Sequence, residues 1–162
     1  MWVDHRAQRL VEETMLEQTG RAAAPEKSGN QHHALQVETR LRVELKDITS
    51  QVARLVERSG IESGQCHIFV PHTTAAILIN ENHDPALRND IENFLKKLAP
   101  ASPDYQHNDG NCDAHLKAAL IGASKTLLIE HGQLVLGRWQ GIYFCEFDGP
   151  RQRNLRVKIV AD

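Results

Sequence analysis

The sequence predicts an α+β fold, an antiparallel β-sandwich with two or three packed helices. Three observations carry this. Runs such as NLRVKIVA alternate apolar and polar residues with period two, the signature of a half-buried strand. Segments 48–60 and 84–98 switch to helical period. The last part of the chain breaks into short strand-like runs separated by turns at HG, GR and DGPRQ, which indicates a meander rather than parallel strands with crossovers.

The elements follow in order. Val3, Ala7, Leu10, Val11 and Met15 recur at helical spacing, so residues 4–18 read as an amphipathic helix with Gly20 as its stop. RAAAPEKSGNQ is linker-like in composition. Residues 1–33 are therefore expected to be an N-terminal helical extension and linker, and residues 34–162 a single domain. In ALQVETRLRVEL, Leu35, Val37, Leu41, Val43 and Leu45 point one way and predict a strand. DITSQVARLVERSG predicts a helix through Ile48, Val52, Leu55 and Val56, capped by Thr49 and ended by Gly60. QCHIFVP and TAAILIN read as strands with His72 and Thr73 at their junction, where small Ala75 and Ala76 allow another backbone, a subunit or a ligand to come close. DPALRNDIENFLKKLAP predicts a helix with Asp84 as cap, Pro85 in its first turn and Leu87, Ile91, Phe94, Leu95 and Leu98 as the buried stripe. A loop follows to Asn111, then a short helix capped by Asp113, then strands KTLLIE, QLVLG, RWQGIYFCEF and NLRVKIVA.

Composition excludes several classes. The chain has 162 residues, 41% apolar and 25% charged, which suits one globular domain. A net charge of −2 argues against a nucleic-acid partner, because phosphate binders carry an excess of Lys and Arg. Arg138, Arg151, Arg153, Arg156 and Lys158 gather toward the end of the chain and read as a solvated sheet face, with an anion site as the alternative. Cys66, Cys112 and Cys145 are odd in number and form no CxxC pair, so free thiols in a reducing compartment are expected. The first twenty residues are charged throughout and no segment approaches the ~20 apolar residues of a membrane span, so no signal peptide and no membrane partner are expected, and the expected location is cytoplasmic.

The candidate site rests on three histidines in polar, turn-rich segments: His72 in PHTTAAILINEN, and His107 and His115 in HNDGNCDAH. Neutral imidazole is a metal ligand and an acid or base near neutrality. Three of them would leave a fourth position on a zinc ion open for water or substrate. The alternative is that each ring bonds backbone in a crowded turn. Glu81 is a candidate general base or a partner that orients an imidazole, against a plain surface carboxylate. Asn82, Gly110 and Asn111 suit turns or close approach to a ligand. Asp84 is explained by capping. Trp139 and Gln140 form a strand pair whose indole belongs either in a core or on a pocket wall. Phosphate could be held by Ser124, Lys125 and the amides at the helix start near Asp113.

The runs PHTTAAILINENHDPALRNDIENFL, YQH, DGNCDAHLKAALIGAS and GQLVLGRWQGIYFCEFDGPR occur in this order and resemble the YjbQ-like family, also called secondary thiamine-phosphate synthase. The resemblance spans about residues 34–161. It implies a compact α+β domain, a homotrimer with sites near subunit interfaces, and a secondary ability to make thiamine phosphate. The positions it matches are His72 with Thr73, Asn80, Glu81, Asn82, Asp84, His107, Gly110, Asn111, His115, Gly137, Trp139 and Gln140, whereas His83 and His131 fall outside the pattern. On this reading Glu81, His72, His107 and His115 are catalytic, the same three histidines hold a metal, and Asn82, Asn111, Ser124 and Gln140 bind a cofactor or substrate. Zinc suits the histidines, and magnesium suits a diphosphate substrate if thiamine phosphate is made. A metal-assisted hydrolase or lyase acting on a small phosphorylated metabolite, and a non-catalytic metal- or anion-binding trimer, are the alternatives.

Overall fold

The computed structural model of the protein describes residues 29–162, apart from Asn108. The expected helix over 4–18 lies outside the described residues. Eleven elements follow among those described: β1 (Gln31–Glu38), β2 (Glu44–Asp47), α1 (Thr49–Ser59), β3 (Ser63–Phe69), β4 (Ala75–Glu81), α2 (Pro85–Leu98), α3 (Cys112–Ile121), β5 (Ser124–Glu130), β6 (Gln133–Leu134), β7 (Gln140–Glu146) and β8 (Gln152–Ala161). They form an α+β fold with two antiparallel sheets, ordered β1-β8-β3-β5-β6 and β2-β7-β4.

Alternation along β7 explains the layering. Ile142 and Phe144 join Val37, Ile68, Leu155, Val157 and Ile159 in a core that the two sheets share with Val52 and Val56 of α1. Tyr143 and Cys145 face the other way, into a second core with Leu95 of α2 and Ala114 and Ala118 of α3. The three-stranded sheet is thus covered on both faces, and every residue of β7 after Gln140 is buried. Ala76 belongs to the second core, so its small side chain lets α3 approach the sheet.

Three local readings are corrected. ALQVETRLRVEL is two strands in different sheets rather than one strand. The chain crosses between them at Thr39, whose hydroxyl donates to Arg151 O (2.9 Å), while Glu44 Oε2 accepts from Arg40 N (2.6 Å) and Leu41 N (3.3 Å). These side-chain bonds make a turn that alternation cannot show, and Leu41 is exposed. Thr49 lies inside α1 and accepts from Ile142 N (2.8 Å), while Asp47 Oδ1 accepts from Thr49 N (2.8 Å) at the helix start. Along α2 only Leu95 of the predicted stripe is fully buried, with Phe94 and Leu98 exposed. Other local readings agree. Asp84 Oδ1 accepts from Ala86 N (2.8 Å) ahead of Pro85, and Gly60 ends α1 at φ 68°. His131 and Gly132, at φ 52° and 73°, make the two-residue turn between β5 and β6.

Candidate functional site

The site is built where β3 ends. Its last ladder pair with β8 is Phe69↔Arg156. Pro71 has no N–H with which to continue pairing. Two residues further along β8, the Asn154 N–H instead donates to His72 Nε2 (3.1 Å). The imidazole thus extends a ladder that the backbone has left. A neutral ring accepting at Nε2 carries its proton on Nδ1, so this bond sets the tautomer. Burial, followed by the positive charge of Arg153, holds the His72 pKa below that of an ordinary histidine, with Glu146 acting the other way.

Beneath His72 the two sheets are fastened by a buried ion pair. Arg153 Nε and one terminal nitrogen donate to Glu146 (2.7 and 2.6 Å), and the same nitrogen donates to Thr74 Oγ1 (2.8 Å). Glu146 also accepts from Phe147 N (3.1 Å) and Asp148 N (2.9 Å), so its carboxylate is saturated. Sequence reading placed Arg153 on a solvated face with its neighbours; Arg138, Arg151 and Arg156 are exposed, but Arg153 is buried. The parity of β8 held the signal: Arg153 falls in step with Leu155, Val157 and Ile159, which all face the core.

A groove of about 630 Å³ opens beside His72, with Phe69, Thr73, His115, Ala118 and Ala123 among its walls. His115 reaches it from α3. His107, from the loop before α3, meets His115 edge-on with ring centres 5.0 Å apart, and its Nε2 is 3.6 Å from Asp109 Oδ2. His72 and His115 therefore share one groove, and His107 adjoins His115.

Glu81, Asn82 and Gln140 do not join them within one chain. Glu81 pairs with Gln140 at the far end of β4, about 20 Å from the Ala75 end at ~3.3 Å per residue. There Asn82 Nδ2 donates to Asp47 Oδ2 (2.9 Å) and Gln140 Oε1 closes a turn by accepting from Gly137 N (2.8 Å). Trp139, 46% exposed, lies on the surface against His83 and the Arg138 guanidinium rather than in the core. Asn111 Nδ2 donates to Asp148 (3.0 Å), and its Oδ1 is buried with no hydrogen-bond partner among the described residues. Ser124 opens β5 beyond the C-terminal end of α3, where Lys125 Nζ donates to Ile121 O (3.0 Å). It is thus about 15 Å from the helix start, and the two make no common phosphate site.

Asp113 does not cap α3. It is buried, 2% exposed, in the first turn, with Asn111 at the cap position. Both its oxygens receive Arg42 (3.0 and 2.8 Å), and Lys117 donates to one of them from four residues on. Burial raises the carboxyl pKa, but Arg42 and Lys117 override it and bring it down to about 2. The Asp113–Lys117 spacing was the signal that sequence reading passed over.

The histidines do not fit a zinc centre made by one chain. Among the described residues no three His, Cys, Asp or Glu side chains are grouped to hold an ion. His72 has spent its Nε2 lone pair on Asn154, and its Nδ1 carries the proton, so it offers a metal nothing in this state. Cys66 and Cys145 are buried free thiols, and burial pushes Cys66 up to about 12 and Cys145 up as well, so neither is a thiolate ligand. No helix of the described residues is long and apolar enough to cross a membrane.

Residues 33–162 match the family described as UPF0047 protein YjbQ-like. A UPF0047 protein of Methanocaldococcus jannaschii is 49% identical over 127 residues, 78% of this chain and 92% of the relative. The UPF0047 protein YugU of Bacillus subtilis is 45% identical over 128 residues, 78% and 97% of the two chains. Among solved structures, a protein of unknown function from Sulfolobus solfataricus superposes with a TM-score of 0.80 at 42% identity, covering 83% of this chain and 99% of that one. One from Clostridium acetobutylicum gives 0.77 at 48% identity, covering 79% and 99%.

Proposed function

Given that the chain belongs to the YjbQ-like UPF0047 family, we propose that it is a small-metabolite enzyme whose reaction takes place in the groove shared by His72 and His115. The observation that carries this is two imidazoles on one groove, the first fixed by Asn154 and kept neutral by its surroundings. His72 presents Nδ1–H as a hydrogen-bond donor of set direction, suited to an oxygen that gains charge. His115, with His107 beside it, takes the acid–base role. Alanine walls suit a flat heterocycle, and the substrate class proposed is a small phosphorylated heterocycle.

Thiamine-phosphate formation is proposed as a secondary activity. A pyrimidine methylene loses its bond to diphosphate oxygen, gains one to a thiazole nitrogen, and diphosphate leaves with the electron pair. His72 Nδ1–H would donate to that leaving oxygen. Magnesium would arrive bound to the diphosphate.

The test is diphosphate release by the untagged full chain supplied with both substrates and magnesium. H72Q, whose amide can still accept from Asn154 N, and H115A should each lose about 100-fold in turnover. Their stability should stay within about 1 kcal/mol of wild type. Wild-type turnover in both variants would overturn the assignment.

A second reading has its own observation. His67, Arg156 and Lys158 are neighbours on adjacent strands of the five-stranded sheet, beside a pocket of about 650 Å³ that His32 also lines. A non-catalytic anion-binding trimer would use that face, and anion binding without turnover of any phosphorylated heterocycle would favour it.

A further inference from the structure

On another flank of α3 lies a separate pocket of about 390 Å³, lined by Arg42, Glu92, Lys96, Asp113, Lys117 and apolar residues including Val43. We infer that this pocket is a binding site for a compact oxyanion, a phosphate or carboxylate group on a small molecule, and that it operates independently of the histidine groove.

The first ground is charge. Among the lining residues, Arg42, Lys96 and Lys117 bring three positive charges and Glu92 and Asp113 two negative ones, leaving one positive charge in excess, while Asp148, outside the lining, also acts on Arg42 but is paired with Arg151. The negative groups are already engaged. Asp113 accepts from Arg42 twice and from Lys117 once. Glu92 accepts from Leu45 N (3.2 Å) and is 4.0 Å from Lys96. The second ground is Lys117 itself. It is 1% exposed, yet its ammonium makes one hydrogen bond among the described residues, to Asp113. An ammonium carries three donors, and burying them unpaired is costly. An oxyanion in the pocket would supply acceptors to the two remaining donors together with the missing negative charge. The third ground is shape. Leu41, Val43 and Ala101 give apolar walls beside the charged end, and the volume suits a small molecule.

The test is titration of inorganic phosphate into the ¹⁵N-labelled full chain at constant ionic strength, with chloride as control. Saturable shifts are expected at the amides of Val43, Ala101 and Lys117, without shifts at Thr73 or Ala123 of the histidine groove. Lys117→Met would leave Asp113 without its buried partner and test folding as much as binding, so the affinity is tested at the rim. Lys96→Gln should weaken phosphate about threefold and Glu92→Gln should tighten it about threefold, since each changes the pocket's charge by one unit in opposite senses. Shifts that match chloride, shifts confined to the histidine groove, or rim variants that do not move the affinity in opposite directions would each overturn the site. None of these results depends on turnover, so the pocket stands or falls apart from the proposed reaction.

Discussion

At the scale of single residues, the two best-defined side chains are His72 and Asp113, and each makes a pH signature. The pKa of His72 lies below that of an unfolded histidine, so the unfolded chain binds the proton first on acidification. Its contribution to stability is therefore complete above about pH 6.5 and is lost as pH falls below that. Heteronuclear NMR should show His72 as the Nδ1–H tautomer at neutral pH. The Asn154 amide should lose protection from exchange as the ring protonates, because a protonated ring cannot accept its N–H. An Asn154 amide whose protection is unchanged across that range would contradict this. Asp113 runs on a lower window. Its carboxyl pKa is about 2, below the unfolded value, so its contribution is present above about pH 4 and fades toward pH 2. D113N leaves Lys117 buried without a counter-charge and should cost ~3 kcal/mol in urea unfolding at pH 7, with the gap to wild type closing near pH 2.

At the scale of elements, Gly64 of β3 is the tightest constraint on the sheet. A Cβ there would lie 2.0 Å from Val160 O, so β8 could not keep its register against β3. G64A should cost about 2 kcal/mol or more and broaden the amides of both strands, and wild-type stability would show that the strands can part locally. Sequence alone showed most elements because each has a local cause. Asp84 and Pro85 start α2, Gly60 stops α1, and alternation marks β5 and β8. It misjudged the crossing at Thr39 because that turn is made by Glu44 and by distant Arg151. The site was legible in part for the same reason. His72 and His115 stand in turn-rich runs and do share a groove, but nothing local shows that β4 carries Glu81 to the opposite end of its sheet. The role of Arg42 was equally hidden, since its partner lies 71 residues away.

At the scale of the whole molecule, the outer face of the five-stranded sheet is uneven in character. Phe69, 48% exposed, and Leu128, 53% exposed, stand among the charged residues of that face. Phe69 also borders the histidine groove. Association through this face, as in the homotrimer that the family resemblance implies, would cover both residues and close the groove at one side. Light scattering at micromolar concentration should then give about three times the 18.2 kDa chain mass. F69E should shift that mass toward the monomer, and a monomeric wild type with full turnover would remove the trimer from the proposal.

The Glu146–Arg153 pair joins β7 of one sheet to β8 of the other, so it affects how the protein responds to heat. Withdrawing ions from water costs less as temperature rises, whereas the gain from burying apolar surface levels off. Replacing both partners with Met and Leu removes that desolvation cost but strips the Phe147 and Asp148 amides of the carboxylate they donate to, so the net change in stability at 25 °C should be small. The balance should tilt toward the parent chain on warming, and thermal unfolding of the two should show the gap widest at the upper temperature limit. The clasp between the sheets is then better understood as insurance against melting than as a source of strength in the cold.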